Sequence, residues 1–126
     1  MLQAGVTGEL VQVVSEANGV RRGGRIIFST PSMVLLVERC CHESVAPHLE
    51  AGQNTVGSHI DLRHLAPSLE GMEVVARTRL TSVEGRRLTF VAEVFDPVEK
   101  VGEATHERFI IDVARYEERL IRKERR

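Results

Sequence analysis

Residues 28–43, FSTPSMVLLVERCCHE, contain the features that decide the fold. Ser29 or Thr30 offers a side-chain oxygen for the N-cap of a helix, and Pro31 suits the first turn, where no amide donor is missed. The apolar residues that follow recur at helical spacing. We therefore predict a long helix, buried along one side, that runs from Thr30 to about His48.

From Thr55 onward the apolar pattern switches to a period of two, which is typical of half-buried strands. Residues 6–14 predict one further strand before the helix. The four later strands are predicted at TVGSHIDLRHLA, MEVVARTRLTSV, RRLTFVAEVFD and KVGEATHERFIIDV. Short connections between successive strands indicate an antiparallel meander. The predicted fold class is α+β, with an antiparallel sheet of about five strands covered on one face by the helix.

The composition indicates a single domain spanning residues 1–126. A net charge of −1 and 4% aromatic residues argue against a stacking platform for single-stranded nucleic acid. We expect neither a signal peptide nor a membrane partner. Two adjacent cysteines, Cys40 and Cys41, are neither a disulfide framework nor a metal motif, which indicates a reducing, cytoplasmic setting.

Two segments lie outside this pattern. Residues 15–28 carry three glycines and three arginines and predict a mobile connection. The tail, residues 115–126, predicts a short charged helix docked by a stripe of Val113, Tyr116 and Leu120. Binding of nucleic acid or of an acidic partner by the tail arginines is the alternative interpretation.

Two polar residues point toward the layer between helix and sheet. Glu38 lies at the border of the helix's apolar arc, where an ordinary boundary glutamate is the alternative. His64 belongs to the apolar face of its predicted strand, and a satisfied core histidine is the alternative there. An imidazole that faces a carboxylate is the pairing that orients and tunes a general base. The predicted apolar face comprises Val56, Ile60, Leu62, His64 and Ala66, and the opposite face Thr55, His59, Asp61 and Arg63.

Thr30, the two cysteines and the other histidines are the remaining candidates for chemistry. Thr30 starts the helix about 12 Å from Glu38, so an imidazole between them could contact both. Plain N-capping is the alternative for Thr30. Cys40 and Cys41 are mid-helix and apolar in setting, which indicates core thiols rather than a nucleophile. The five histidines show no metal-ligand spacing, so no metal site is expected.

Three stretches resemble the fluoroacetyl-CoA thioesterase-like family of hotdog-fold enzymes. They are FSTPSMVLLVERCCHESVAPHLEAGQNTVGSHIDLRHLAP, VEGRRLTF and GEATHERFI, which together reach from residue 28 to residue 110. The resemblance implies a threonine–glutamate–histidine catalytic set at Thr30, Glu38 and His64. It also implies an active-site glycine at Gly57, and its THER signature places His106 and Arg108 near the chemistry or the substrate.

What the resemblance implies for function is cleavage of an acyl-CoA thioester to free acid and coenzyme A. His64 would act as general base oriented by Glu38, with Thr30 as nucleophile or hydrogen-bonding residue. Homodimers, with or without pairing of dimers, would place active sites at the subunit interface, and no cofactor is implied beyond the coenzyme A of the substrate. The alternatives are another acyl-CoA enzyme, such as a hydratase, and a non-catalytic acyl-CoA-binding module.

One segment departs from the family pattern. Fluoroacetyl-specific members carry a phenylalanine-rich lid before the helix, whereas residues 15–27 here read SEANGVRRGGRII, without an aromatic residue. Arginines in such a segment would meet the phosphates of coenzyme A or a carboxylate of the acyl chain. We therefore expect short or medium acyl-CoA substrates, with little preference for fluoroacetyl-CoA over acetyl-CoA.

Overall fold

The computed structural model describes residues 2–125, which form seven strands and two helices. Strands β1 to β7 are Thr7–Val13, Gly19–Arg22, Arg25–Phe28, Gln53–His64, Glu73–Glu84, Arg87–Phe95 and Lys100–Asp112. Helices α1 and α2 are Thr30–Val45 and Val113–Glu124. The predicted long helix therefore ends earlier than expected, because residues 46–48 continue as a short 3-10 turn. None of the helices in the described part of the chain is long and apolar enough to span a membrane.

Five strands form one antiparallel sheet in the order β1-β5-β6-β7-β4, with α1 packed against one face. This confirms the predicted α+β architecture. The predicted meander is correct only for β5, β6 and β7, because β4 pairs with β7 at one edge and β1 pairs with β5 at the other. The chain between β4 and β5 thus crosses from one edge of the sheet into its interior instead of turning back on itself.

The core lies between α1 and the inner face of the sheet. Six residues of α1 are buried at the spacing of a helix face: Met33, Leu36, Val37, Cys40, Cys41 and Val45. They pack in one hydrophobic cluster with sheet residues such as Val74, Leu80, Phe90 and Val94. Both thiols are buried, and burial raises the pKa of Cys41 to about 12. Their interpretation as core residues is therefore confirmed, since a thiol in this state supplies almost no thiolate.

Strand β4 contains a bulge that changes which residues face the helix. Its register against β7 shifts between Gly57 and His59, and a bulge adds one unpaired residue to a strand. As a result Thr55, predicted to point outward, is buried at 3% exposure, while Val56 is only half-buried. Beyond the bulge the predicted faces are correct, and His64 lies on the helix-facing side.

The predicted mobile connection before α1 is instead ordered structure. Ser15 and Asn18 form a reciprocal capping box around the 3-10 turn at residues 16–18. Strands β2 and β3 then pair as a hairpin, whose tip is formed by Gly23 and Gly24 at positive φ. The alternating side chains of β3 bury Ile26 and Phe28 in the core. Apolar side chains at the end of the segment therefore order it, despite its polar composition.

Candidate active site

Thr30 and His64 meet where the start of α1 lies over the end of β4. Ser29 caps the helix, since its Oγ accepts a hydrogen bond from the Ser32 amide at 3.2 Å. The Thr30 hydroxyl is therefore not used as the cap, and its Oγ1 shares a 2.7 Å hydrogen bond with Nδ1 of His64. A hydroxyl within hydrogen-bond reach of an imidazole is the geometry of a nucleophile, or of a water-positioning group, beside its base.

The second ring nitrogen of His64, Nε2, makes no hydrogen bond within the described residues. This atom is also buried. When the Thr30 hydroxyl donates to Nδ1, the ring proton resides on Nε2, because a neutral imidazole carries one N–H. In that tautomer Nε2–H can donate a hydrogen bond to a carboxylate. A negative charge at that position would stabilise the imidazolium that forms when the base takes up a proton.

Glu38 does not lie beside His64 of the same chain. Its carboxylate instead covers Gly57, where a Cβ atom would come within 2.8 Å of Glu38 Oε2. Gly57 and His64 are seven residues apart on β4, roughly 23 Å for an extended strand. The expectation that one imidazole contacts both Thr30 and Glu38 is therefore not met within a single chain, where the ring of His64 hydrogen-bonds to Thr30 but not to Glu38.

His106 and Arg108 lie beneath Gly57, close to the Glu38 carboxylate. The same Cβ position on Gly57 would be 3.3 Å from His106 Cε1 and 3.3 Å from Arg108 Nη1. The two side chains are only 1% and 6% exposed. The structure thus brings three predicted site residues together around Glu38, and places His64 with Thr30 in a second group.

Hydrogen bonds fix the tautomer of His106 and the orientation of Arg108. His106 donates from Nδ1 to the His59 carbonyl at 2.7 Å, and its Nε2 accepts from Arg108 Nη1 at 3.2 Å. Burial lowers the pKa of His106, which agrees with a neutral ring that donates on one side and accepts on the other. Arg108 also donates from Nε to Thr55 Oγ1 at 2.9 Å and from Nη2 to the Thr55 carbonyl at 3.0 Å.

Thr55 is the member of this network that the sequence did not predict. A strict period of two placed it on the outer face, and only the bulge turns it inward to hold Arg108. An isolated glycine within a strand, such as Gly57, is the signal that indicates a bulge. Gly57, two residues after Thr55, was therefore a visible sign of the bulge in the sequence.

A separate cavity lies elsewhere in the molecule. A space of about 560 Å³ opens on the outer face of the sheet, on the side away from α1. Several charged side chains that line this cavity are already in ion pairs. Lys100 contacts Glu93 and Glu103 at 2.9 Å, and Arg77 contacts Glu9 at 3.1 Å. Neither Thr30 nor His64 lines this cavity. Its size alone does not make it the active site.

The other histidines and acidic residues form no competing centre. His42 shares a 2.9 Å hydrogen bond from Nε2 with Asn54 Oδ1, and His48 is exposed. In the described part of the chain, no three or more His, Cys, Asp or Glu residues are arranged to hold a metal ion. The candidate reactive groups are therefore the hydroxyl, imidazole and carboxylate already described.

A curled five-stranded antiparallel sheet around one helix is the architecture of the hotdog-like thioesterases. A thioesterase superfamily member from Thermus thermophilus superposes with a TM-score of 0.90 at 29% identity, over 98% of this chain and 94% of that one. A hot-dog-like protein from Thermanaerovibrio acidaminovorans has a TM-score of 0.88 at 22% identity, over 95% and 91% of the two chains, and supports the fold.

Within this class the chain belongs to the fluoroacetyl-CoA-specific thioesterase family, whose family model matches residues 6–114. The fluoroacetyl-CoA thioesterase of Streptantibioticus cattleyicolor is 36% identical over 97 residues, covering 77% of this chain and 70% of that protein. A solved structure of the fluoroacetyl-CoA thioesterase FlK has a TM-score of 0.89 at 30% identity, over 98% of both chains. The resemblance of the three sequence stretches to this family is thus confirmed.

Proposed function

We propose that this acyl-CoA thioesterase hydrolyses short or medium acyl-CoA esters to free acid and coenzyme A, with chemistry centred on Thr30 and His64. The observation that carries the proposal is the 2.7 Å hydrogen bond between Thr30 Oγ1 and His64 Nδ1. Family membership supports the reaction, and the position of the pair at the start of α1 supports the site.

In the proposed mechanism His64 acts as the general base. Nδ1 accepts the proton of the Thr30 hydroxyl, or of a water that Thr30 positions, as the oxygen attacks the thioester carbonyl. The positive end of the α1 dipole stabilises the oxyanion of the tetrahedral intermediate. The intermediate collapses with cleavage of the C–S bond, and the imidazolium returns its proton to the departing thiolate. When Thr30 is the nucleophile, water then hydrolyses the acyl-threonine in a second, equivalent cycle.

Glu38 enters this site from a second copy of the chain. Strand β4 bonds only to β7 within residues 2–125, so its other edge is available for pairing. Two β4 strands paired antiparallel about their centres place Gly57 of one opposite Ile60 of the other. The separation from His64 along the strand then falls from roughly 23 Å to roughly 13 Å. A thioester fits between the Glu38 carboxylate of one subunit and the Thr30–His64 pair of its partner.

A homodimer is therefore part of the proposal, and pairing of dimers is left open. Such a dimer contains two equivalent sites across one two-fold axis. In each, the Glu38 carboxylate favours protonation of the partner's His64 and so assists the base.

Gly57, His106 and Arg108 are the proposed substrate-binding residues, with different accessibility. Gly57 is exposed, and the absence of a side chain leaves room for Glu38 and for the acyl group. His106 and Arg108 are buried beneath it and act by holding the floor of this pocket in shape. Arg108 uses three of its five N–H donors on neighbours within the described residues, so it retains donors for Glu38 or a bound acyl group.

The proposal also covers the cofactors, the compartment and the partners of the enzyme. The reaction uses water and the coenzyme A of the substrate, and the proposal includes no further cofactor. Cys40 and Cys41 are both free thiols, which fits a reducing cytoplasmic compartment. Acyl-CoA and a second copy of the chain are the proposed partners, and neither nucleic acid nor a membrane is included.

A thiol-release screen over short and medium acyl-CoA esters tests this function. We expect release of free coenzyme A by the purified protein and its near-complete loss in a Thr30→Ala, His64→Ala double variant that remains folded. Hydration of an enoyl-CoA without thiol release would instead establish the hydratase alternative. Tight binding of acyl-CoA esters without any turnover would establish the non-catalytic module.

A further inference from the structure

Helix α2 carries an uncompensated basic face. At about 100° per residue, its four cationic side chains fall within an arc of roughly 100°. They are Arg115, Arg119, Arg122 and Lys123. The acidic residues Glu117, Glu118 and Glu124 lie outside this arc, and within residues 2–125 no carboxylate forms an ion pair with any of the four.

The spacing of these charges is unfavourable without a ligand. Arg115, Arg119 and Lys123 follow one another at i, i+4 intervals, where like charges destabilise a helix. An anion bound along this face would remove the repulsion. The pattern of charges on α2 therefore favours a polyanionic ligand on this face.

A concave site adjoins the basic face. A cavity of about 240 Å³ lies at the start of α2 and is lined by Arg115, Tyr116 and Arg119, together with Arg86 and Asp112. Arg86 and Asp112 neutralise each other at 3.3 Å. The tyrosine is 37% exposed, so its ring is accessible to a flat ligand. The cavity thus combines one aromatic surface with two unpaired guanidinium groups, which suit a base and its phosphate.

The distance from this cavity to Glu38 matches the length of the substrate. Arg108, beside Glu38, and Asp112, at the start of α2, are four residues apart on β7, roughly 13 Å. The pantetheine arm of coenzyme A has 13 bonds between its sulfur and the diphosphate. An extended chain of that many bonds spans about 15 Å. A thioester held at Glu38 can therefore reach the start of α2 with its diphosphate.

We propose that the basic face of α2 binds the 3′-phosphate and diphosphate of coenzyme A, with the adenine against Tyr116. This inference rests on the proposed thioesterase function, because it assigns the nucleotide end of the same substrate. It replaces the expectation that the hairpin arginines meet the phosphates. In that hairpin Arg21 is already paired with Glu16 at 2.9 Å.

The test compares three thioesters of one acyl group, carried by coenzyme A, by 3′-dephospho-coenzyme A and by N-acetylcysteamine. For an Arg115→Ala, Arg119→Ala double variant we expect KM for the coenzyme A ester to rise about tenfold, with kcat within about twofold. The increase should be smaller for the dephospho ester and absent for the N-acetylcysteamine ester. An unchanged KM for the coenzyme A ester, or an equal penalty on all three esters, would overturn the inference.

Matched arginine variants serve as controls. Arg25→Ala removes an exposed charge from the hairpin, and Arg79→Ala removes one from the outer-face cavity. Both should leave KM within about twofold of the wild-type value, since surface charges remote from a ligand contribute little. A larger increase in either control than in the α2 variant would move the nucleotide site away from α2 and overturn the inference.

Calorimetric titration with coenzyme A separates this inference from the function on which it rests. The wild-type protein should bind coenzyme A more tightly than dephospho-coenzyme A, and the α2 variant should lose that difference. This result is expected even if no ester is hydrolysed, in which case the proposed function alone fails. Hydrolysis by the wild-type protein with identical binding of both nucleotides by both proteins would leave the function intact and refute the α2 site.

Discussion

At the scale of single residues, the proposed chemistry depends on the contact between Thr30 and His64. Ser29 takes over the helix cap, which leaves the Thr30 hydroxyl available to the imidazole at 2.7 Å. The start of α1 and the end of β4 hold the two groups, so their geometry depends on packed elements rather than on a loop. Activity should therefore depend steeply on these side chains.

His64→Ala tests the general base. The variant should remain folded, because His64 lies at the end of its strand and is only half-buried. Its kcat on a confirmed substrate should fall by about 10²–10⁴-fold, the usual contribution of a general base. Steady-state thiol release by the two proteins gives the comparison. Turnover near that of the wild-type protein would remove His64 from the mechanism.

Glu38→Gln tests the carboxylate, since it keeps the size of the side chain and removes the charge. The charge matters most while the imidazole is protonated, so kcat should fall by about tenfold or more while KM changes little. Both constants are measured on the same ester. A change confined to KM would return Glu38 to the status of a boundary residue.

The sequence predicted these residue types better than their contacts. A helical wheel placed Glu38 at the border of the apolar arc, and strand alternation placed His64 on the face toward the helix. Neither pattern determines which strand residue lies under which helical turn, because that depends on how the elements cross. In the structure Gly57, not His64, lies under Glu38.

At the scale of elements, α1 follows its sequence pattern closely while β4 does not. Residues of α1 that recur every three or four positions are buried as predicted, including Cys40 and Cys41. In β4 the bulge after Gly57 reverses the faces on one side only, which is why Thr55 was misplaced and His64 was not. A one-residue insertion changes the alternation without changing the composition of the strand.

The two thiols of α1 supply a matched test of that packing. A Cys40→Ala, Cys41→Ala double variant should lose about 1–3 kcal/mol of unfolding free energy, because two buried side chains are truncated. Its kcat per folded molecule should match that of the wild-type protein. Chemical denaturation and thiol release are measured on the same preparation. Loss of turnover in a folded variant would make a cysteine the nucleophile.

The hairpin of β2 and β3 shows where composition misleads. Three glycines and three arginines suggested mobility, yet Ile26 and Phe28 anchor the second strand in the core. Two glycines at the tip adopt positive φ and make the tight turn possible. A few alternating apolar side chains thus outweigh the average polarity of the segment.

At the scale of the whole molecule, the sequence predicted the layers but not the order of the strands. Periodicity identifies a strand and its buried face, whereas the pairing of β4 with β7 joins residues about 50 positions apart. No local pattern records such a pairing. The consequence is that β4 lies at the edge of the sheet, with one side unpaired among residues 2–125 and available to a second subunit.

Substrate preference is also a property of the assembled molecule. The hairpin beside Thr30 exposes Arg22, Gly23, Gly24 and Arg25 and contributes no aromatic surface there. Although relatives of this chain are named for fluoroacetyl-CoA, we expect kcat/KM for fluoroacetyl-CoA to lie within about tenfold of that for acetyl-CoA. Both constants are measured under the same conditions. A preference of several powers of ten for the fluorinated ester would show that another surface performs the selection.

The central claim is that each active site combines Thr30 and His64 of one subunit with Glu38 of its partner. Its most direct test is a heterodimer of His64→Ala and Glu38→Gln chains, coexpressed with two different affinity tags and purified over both. One of its two sites then contains only wild-type residues, while the other contains both substitutions.

The measurement is thiol release by this heterodimer beside the two parent homodimers. We predict about half of the wild-type activity, because one of the two symmetric sites is intact, whereas each parent homodimer keeps at most about a tenth of that activity. If Glu38 acted on His64 of its own chain, every site in the heterodimer would carry one substitution. A heterodimer no more active than its parents would therefore contradict the shared site.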